Sequence, residues 1–315
     1  MQMRTNETDA GQADDRECIR TAKLRNWKLT LAYDGAGYRG WQVQPGETTV
    51  QGELRAALGR IVGETPLPQG SGRTDAGVHA LAQVASFTLA APIPAENLLM
   101  ALNRALPPSI RVIEAKPVAA TFHARHSAVG KTYEYRIFEE KPWPWTNMRA
   151  PNRICPPFLA PYVYAYPWPL NFDALREAAT HFVGVHDFLS FAATDPDLAA
   201  RRRDVDEAPD LRPLPRPDFT QEPPSAPSVR TIHSSAWEMR ETELGRILVY
   251  RVRGSGFLHH MVRNLVGTML DVGRGLLRAD QIPAMLAARQ RSAAGTNAPA
   301  HGLFLHSVEY GGADE

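Results

Sequence analysis

The chain reads as an α+β protein built on one continuous sheet, on three grounds. Stretches that alternate apolar and polar side chains, the mark of half-buried strands, occur in both halves. Amphipathic helical stretches are interleaved with these strands rather than gathered at one end. Each half opens on a strand, and the halves are alike in pattern, not in residue identity. At 315 residues, with 43% hydrophobic and 22% charged side chains, the chain can bury a large core or two ordinary ones.

Residues 1–26 are polar, aperiodic and lack the apolar run of a secretory signal, so they read as a disordered tail. "WKLTLAY" (27–33) sets Trp27, Leu29, Leu31 and Tyr33 on one face of a strand, and the glycine-rich turn "DGAGYRGWQ" follows. "TVQGELRAALGRIVG" (49–63) places Val50, Leu54, Leu58 and Ile61 on one helical face. The loop "GSGRTDAGVHA" (70–80) leads into the strand "QVASFTL" (83–89). "PAENLLMALNRAL" (94–106) is a second amphipathic helix with proline near its start, and "IRVIEAKPV" (110–118) is a strand.

The second half opens with the strand "KTYEYRIF" (131–138) and a loop rich in Pro, Trp and Tyr (139–170). A helix near 171–184, with Asn171 as its cap, and "HDFLSF" (186–191) come next. From 194 to 228 the chain turns proline-rich and charged, the signature of a flexible insertion. Strands near 229–239 and 246–253 precede the helix "GFLHHMVRNLVGTMLDVG" (256–273). A short helix (280–290) and the strand "GLFLHSVEY" (302–310) close the chain. The expected organisation is therefore the tail, an N-terminal α+β half at 27–128, and a C-terminal α+β half at 129–315 that carries the insertion.

Several classes of protein are disfavoured at once. No apolar run reaches membrane-spanning length. Cys18 and Cys155 lie far apart, forming neither a metal-ligand pair nor a disulfide framework, which favours a reducing cytoplasm. The net charge of +1 does not announce a nucleic-acid partner, so any such partner needs local basic patches.

Four stretches concentrate polar side chains. In the loop at 70–80, glycines permit close approach and positive φ, Asp75 can serve as nucleophile or base, and Arg73 can grip a phosphate. Read alone, that loop is more readily a surface turn closed by the Asp75 side chain. "FHARHSAVGKTYEYRI" (122–137) interleaves Arg125, Lys131 and Arg136 with Tyr133 and Tyr135, suiting a phosphate backbone beside an unstacked base. The competing reading is a strand with an aromatic core face and a charged solvent face. In "RVRGSGFLHHMVRNLVG" (251–267), Arg263 falls among apolar neighbours and needs an anionic partner, with Asp75 the interesting candidate. His259 and His260 are adjacent, which on a helix puts them on different faces and argues against joint metal ligation. Asn297, in "GTNAPAHGLFL" (295–305), can read a base edge, as a weaker candidate.

Together these stretches resemble the tRNA pseudouridine synthase A (TruA) family. The resemblance is carried by "LAYDGAGYRGWQ" (31–42), "GRTDAGVHA" (72–80), "FHAR" with "KTYEYRI" (122–137), "GVHDFLSF" (184–191), "GFLHHMVRNLVGTMLDVG" (256–273) and "APAHGLFL" (298–305), in family order. It implies a pseudouridine synthase fold, with a mixed central sheet from two pseudo-repeated halves, flanking helices and a basic cleft between the halves. It implies isomerisation of uridine to pseudouridine at positions 38–40 of the tRNA anticodon stem-loop by a cytoplasmic homodimer, with no metal or organic cofactor. Asp75 matches the family's catalytic aspartate, Tyr133 the tyrosine stacked on the target uracil, and Arg263 the arginine beside the aspartate. Arg73, His79, Arg125, Lys131, His259, His260 and Asn264, together with Tyr133, are the candidate contacts to the tRNA and its uridine. A carboxylate serves either route to pseudouridine, attack at C6 of the uracil or assistance at C1′. The insertion and the tail depart from the family pattern without touching these motifs.

Two other classes compete. A catalytically silent RNA-binding or chaperone module on the same scaffold is opposed by the joint presence of Asp75, Tyr133 and Arg263. A metal-dependent hydrolase using His186, Asp187, His259 and His260 is opposed by "HDFLSF" reading as a packed loop and by the absence of a recurring ligand spacing.

Overall fold

The architecture follows from where the apolar faces go. The computed structural model describes residues 24–140, 153–193, 228–243 and 245–312. Residues 1–23 of the expected tail (1–26) and 194–227 of the expected insertion (194–228) lie outside them. The first strand starts earlier than its pattern shows, so Arg25 and Asn26 belong to β1 (Arg25–Tyr33) and not to the tail.

β1 is followed by α1 (Val50–Val62), β2 (Gln69–Gly70), β3 (His79–Leu89), α2 (Ala95–Ala105) and β4 (Ile110–Val118). Thr49 caps α1 by accepting the Gly52 N–H, and Gly63, at φ 73°, ends it in the left-handed conformation glycine tolerates. The C-terminal part comprises β5 (Ala128–Glu139), β6 (Tyr164–Tyr166), α3 (Phe172–Thr180), β7 (Gly184–Asp187), β8 (Val229–Thr242), β9 (Gly245–Gly254), α4 (Met261–Gly273), α5 (Ile282–Ala288) and β10 (Leu303–Tyr310).

These strands form one mixed sheet in the order β4-β1-β3-β10-β5-β9-β8-β7, with β2 on β3 and β6 on β5. The last strand is the stitch. β10 runs parallel to β3, through Phe304 and Leu305 against His79 and Ala80. On its other side it runs antiparallel to β5. The chain's final strand thus brings the Asp75 loop, which leads into β3, beside the Tyr133 strand. Trp27, Leu29, Leu31, Tyr135, Ile137, Tyr250 and Val252 line the core face, against which Leu54, Leu58, Leu98, Leu175, Leu265 and Met269 of the helices pack.

β3 begins at His79, four residues before the expected strand, and three further differences have local reasons. α3 stops at Thr180 instead of continuing to 184, because Gly184 adopts φ 116° and starts β7, which pairs with β8. The 139–170 loop contains a short strand, Tyr164–Tyr166, paired parallel with β5. α4 begins at Met261, not at 256: the preceding residues form a turn, and His260 sits at φ 58°.

Candidate active site

The loop at 70–78 is clamped by hydrogen bonds to its neighbours. Gln83, fully buried on β3, accepts from the Ser71 hydroxyl (2.7 Å) and donates to the Gly72 carbonyl (2.8 Å). Lys131 Nζ donates to the Ser71 carbonyl (2.6 Å), the Tyr33 and Thr74 hydroxyls are hydrogen-bonded (2.8 Å), and the Trp41 backbone N–H donates to the Thr74 carbonyl (3.0 Å). Among the loop glycines at 70, 72 and 77, only Gly77 takes positive φ (78°). Gly70 is needed for space, since a Cβ there would lie 2.6 Å from the Trp41 ring.

Held this way, the Asp75 carboxylate meets three cationic or potentially cationic groups from the turn into α4. Arg263 Nη1 donates to Asp75 Oδ2 (3.2 Å), while its Nε donates to the Ala298 carbonyl (2.7 Å). His260 Nε2 is 3.3 Å from Oδ2 and His259 Nε2 is 3.5 Å from Oδ1. Arg263 is 15% exposed and Asp75 20%, so this pair is partly shielded from water, as the apolar context of Arg263 predicts.

The histidines correct the expectation that they face apart. His260 is a left-handed residue ahead of α4, not part of the helix, so both rings turn to the same carboxylate, 4.0 Å apart. A non-glycine residue there costs on the order of 1 kcal/mol, and such strain gathers at functional sites. Burial lowers the His260 pKa and outweighs the Asp75 charge, which raises it; His259 and Arg263 lower it further. Asn297 is engaged as well: its side-chain amide lies 3.0 Å from His260 Nδ1.

A cavity of about 380 Å³ opens over this group. Asp75, Arg73, Arg125, Lys131, Tyr133, His259, His260 and Arg263 line it, so most of the candidates share one surface. Tyr133, from β5, is 8% exposed and meets the Phe257 ring edge-on at 5.0 Å. Burial holds its hydroxyl well above the usual tyrosine range, helped by Tyr33 and by the negative Asp75. Burial, with Arg125 and Arg230 nearby, pulls the Lys131 pKa down to about 8.

His79 and Asn264, expected to contact the substrate, do not line this cavity, and their side chains are engaged within the protein. His79 is 1% exposed and stacks on Phe304 at 4.7 Å. Its Nδ1 accepts the Gly35 N–H and its Nε2 faces the Pro161 and His301 carbonyls. Burial lowers its pKa, so the ring is a neutral peg that ties β3 to the loops around it. Asn264 is fully buried, donating to the Phe191 carbonyl (2.7 Å) and accepting from Arg291 (2.9 Å). Strand alternation places His79, and helical phase Asn264, on the inward side, which motif matching alone does not show. Nor do His186 and Asp187 join the other histidines: Asp187 pairs with Arg289 (2.8 Å), and His186 Nε2 lies 3.0 Å from the Val183 carbonyl.

Several working residues carry no obvious signal in the sequence. Gln83 reads as an ordinary strand residue and Phe257 as a helix position, yet one clamps the Asp75 loop and the other braces Tyr133. The same cavity is also lined by Trp41, Gln42 and Val43, more than thirty residues before Asp75, and by Leu67 and Gln69 just ahead of its loop.

Comparison with known proteins agrees with this arrangement. The family model described as tRNA pseudouridine synthase matches residues 30–127 and 216–311. A tRNA pseudouridine synthase A of Solibacter usitatus is 44% identical over 288 residues, covering 91% of this chain and all of that protein. Those of Moorella thermoacetica and Bacillus subtilis are 41% and 39% identical, each covering 90% of this chain and 98% of their own length. No helix among the described residues is long and apolar enough to cross a membrane. With a mixed ten-stranded sheet and matches along nearly its whole length, the chain belongs to the tRNA pseudouridine synthase family, isomerases that convert uridine to pseudouridine.

Proposed function

We propose that this protein isomerises uridine to pseudouridine at positions 38–40 of the tRNA anticodon stem-loop, with Asp75 as the catalytic carboxylate. The observation that carries the reading is the convergence of Asp75, Arg263 and Tyr133 on one cavity from three distant segments. The reaction breaks the C1′–N1 bond, turns the base, and joins C1′ to C5, with loss of the C5 proton. Whether Asp75 adds to C6 or assists at C1′, the uracil must first leave the helix stack, at a cost of a few kcal/mol. Tyr133, braced edge-on by Phe257, offers the flipped base a face, and its hydroxyl stays protonated. Arg263 neutralises the carboxylate and fixes its direction. Arg73, Arg125 and Lys131 line the same cavity and suit the phosphates that flank a flipped nucleotide. A homodimer whose copies share one tRNA fits this reading, and sedimentation with and without tRNA checks it.

The test uses tRNA tritiated at uracil C5, in excess chelator, with release followed over time. Release by the parent that disappears in Asp75→Ala, with tRNA binding retained, supports the reading. The same assay separates a silent RNA-binding module, which binds without release. No release from any tRNA with uridine at these positions refutes the proposal.

A further inference from the structure

The donor atoms around Asp75 are spaced like the ligands of a small metal ion. Asp75, His259 and His260 each offer one atom, and these lie within 4.8 Å of one another. His259 Nε2 is 3.5 Å from Asp75 Oδ1 and His260 Nε2 is 3.3 Å from Oδ2, so each imidazole meets its own carboxylate oxygen. In a tetrahedral zinc centre with bonds of about 2.0–2.2 Å, neighbouring donors stand about 3.3–3.6 Å apart. Each imidazole already stands at that spacing from a carboxylate oxygen, so a turn of the Asp75 carboxylate, or its use of both oxygens, closes the set on one ion. Two further observations concern the imidazoles. His260 adopts its left-handed conformation to face the carboxylate, and His259 Nδ1 is buried without a hydrogen-bond partner among the described residues. Beyond His260, the Asn297 amide lies 3.0 Å from Nδ1; turned over, it presents the oxygen acceptor that metal-bound imidazoles use.

We propose that Asp75, His259 and His260 bind a zinc ion through three protein ligands and a water, and that the bound ion inhibits the enzyme by occupying the carboxylate. The donor set of two imidazoles and one carboxylate suits zinc and not magnesium, which prefers oxygen. The Arg263 guanidinium, 3.2 Å from Asp75 Oδ2, opposes a dication, so the site binds more weakly than a structural zinc site and acts reversibly. Binding follows from donor geometry alone, whereas inhibition rests on the reading of Asp75 as catalytic.

The test titrates the full chain, stripped by chelator, with Zn²⁺ by calorimetry and with Co²⁺ by its visible absorption, which reports tetrahedral ligation. The parent is expected to show one such site, untouched by excess Mg²⁺. Asp75→Asn, His259→Ala and His260→Asn should each weaken it by ~10-fold or more. Asparagine is chosen at 260 because it tolerates the left-handed backbone. Tritium release by the parent should fall as the site fills and recover with chelator. Equal Zn²⁺ binding by the parent and all three variants, or no binding by the parent, overturns the site. A filled site with unchanged release overturns the inhibition alone. Should the chain release no tritium from tRNA at all, the calorimetric and Co²⁺ measurements still decide the site.

Discussion

Replacing Arg263 by alanine removes two hydrogen bonds and a charge from a shielded position. One bond goes to the Ala298 carbonyl (2.7 Å) and one to Asp75 Oδ2 (3.2 Å). Bonds to charged groups contribute about 1.5–3 kcal/mol each. With the partners 15% and 20% exposed, water recovers part of that, and a net loss of about 2–4 kcal/mol is expected. Arg263→Lys keeps the charge but cannot bridge both acceptors, so about half that loss is expected. On the proposal that Asp75 is the catalytic carboxylate, catalysis should suffer more than stability, because Arg263 no longer fixes its direction; a drop of ~100-fold in single-turnover tritium release is expected for the alanine variant. Urea unfolding of the full chain measures the first quantity and tritium release the second. If Arg263→Ala unfolds within about 0.5 kcal/mol of the parent and releases tritium within twofold of it, the positioning argument fails.

Tyr133→Phe should keep most of the base binding, whereas Tyr133→Ala should lose about 1–3 kcal/mol of affinity for a tRNA analogue; equal affinity in the alanine variant would remove the stacking role. Lys131, with its pKa lowered to about 8, deprotonates in the folded state before it does in the unfolded one. Its burial penalty is therefore fully felt below pH 8 and relieved as the pH rises towards the ordinary lysine range, so its contribution to stability improves with pH there. Affinity for tRNA should move the opposite way over that window, and Lys131→Met should flatten both profiles. Gly267→Ala should destabilise by about 3 kcal/mol in urea, since its Cβ would lie 1.6 Å from the Thr296 carbonyl, within the segment that holds Arg263 through Ala298. Parent-like unfolding in that variant would mean the segment yields freely.

Much of this molecule is legible in the chain because the deciding physics is local. Alternation in "IRVIEAKPV" marks β4 residue for residue, and Thr49 and Gly63 bound α1 by capping chemistry that acts within a turn. The company of Asp75, Tyr133 and Arg263 is legible too, as motifs in family order. What folding adds is non-local. The insertion of β10 between β3 and β5 brings the Asp75 loop to Tyr133, and no window of sequence encodes that neighbourhood. The left-handed turn at His260 reverses the prediction that adjacent histidines diverge, since helical phase applies only once the helix has begun at Met261. His79 and Asn264 carry motif signatures but face inward, because strand and helix geometry assign each side chain to a face and burial then binds its polar atoms to neighbouring backbone and side chains. The chain's pattern states which side chains carry chemistry; long-range pairing and backbone strain set which of them meet.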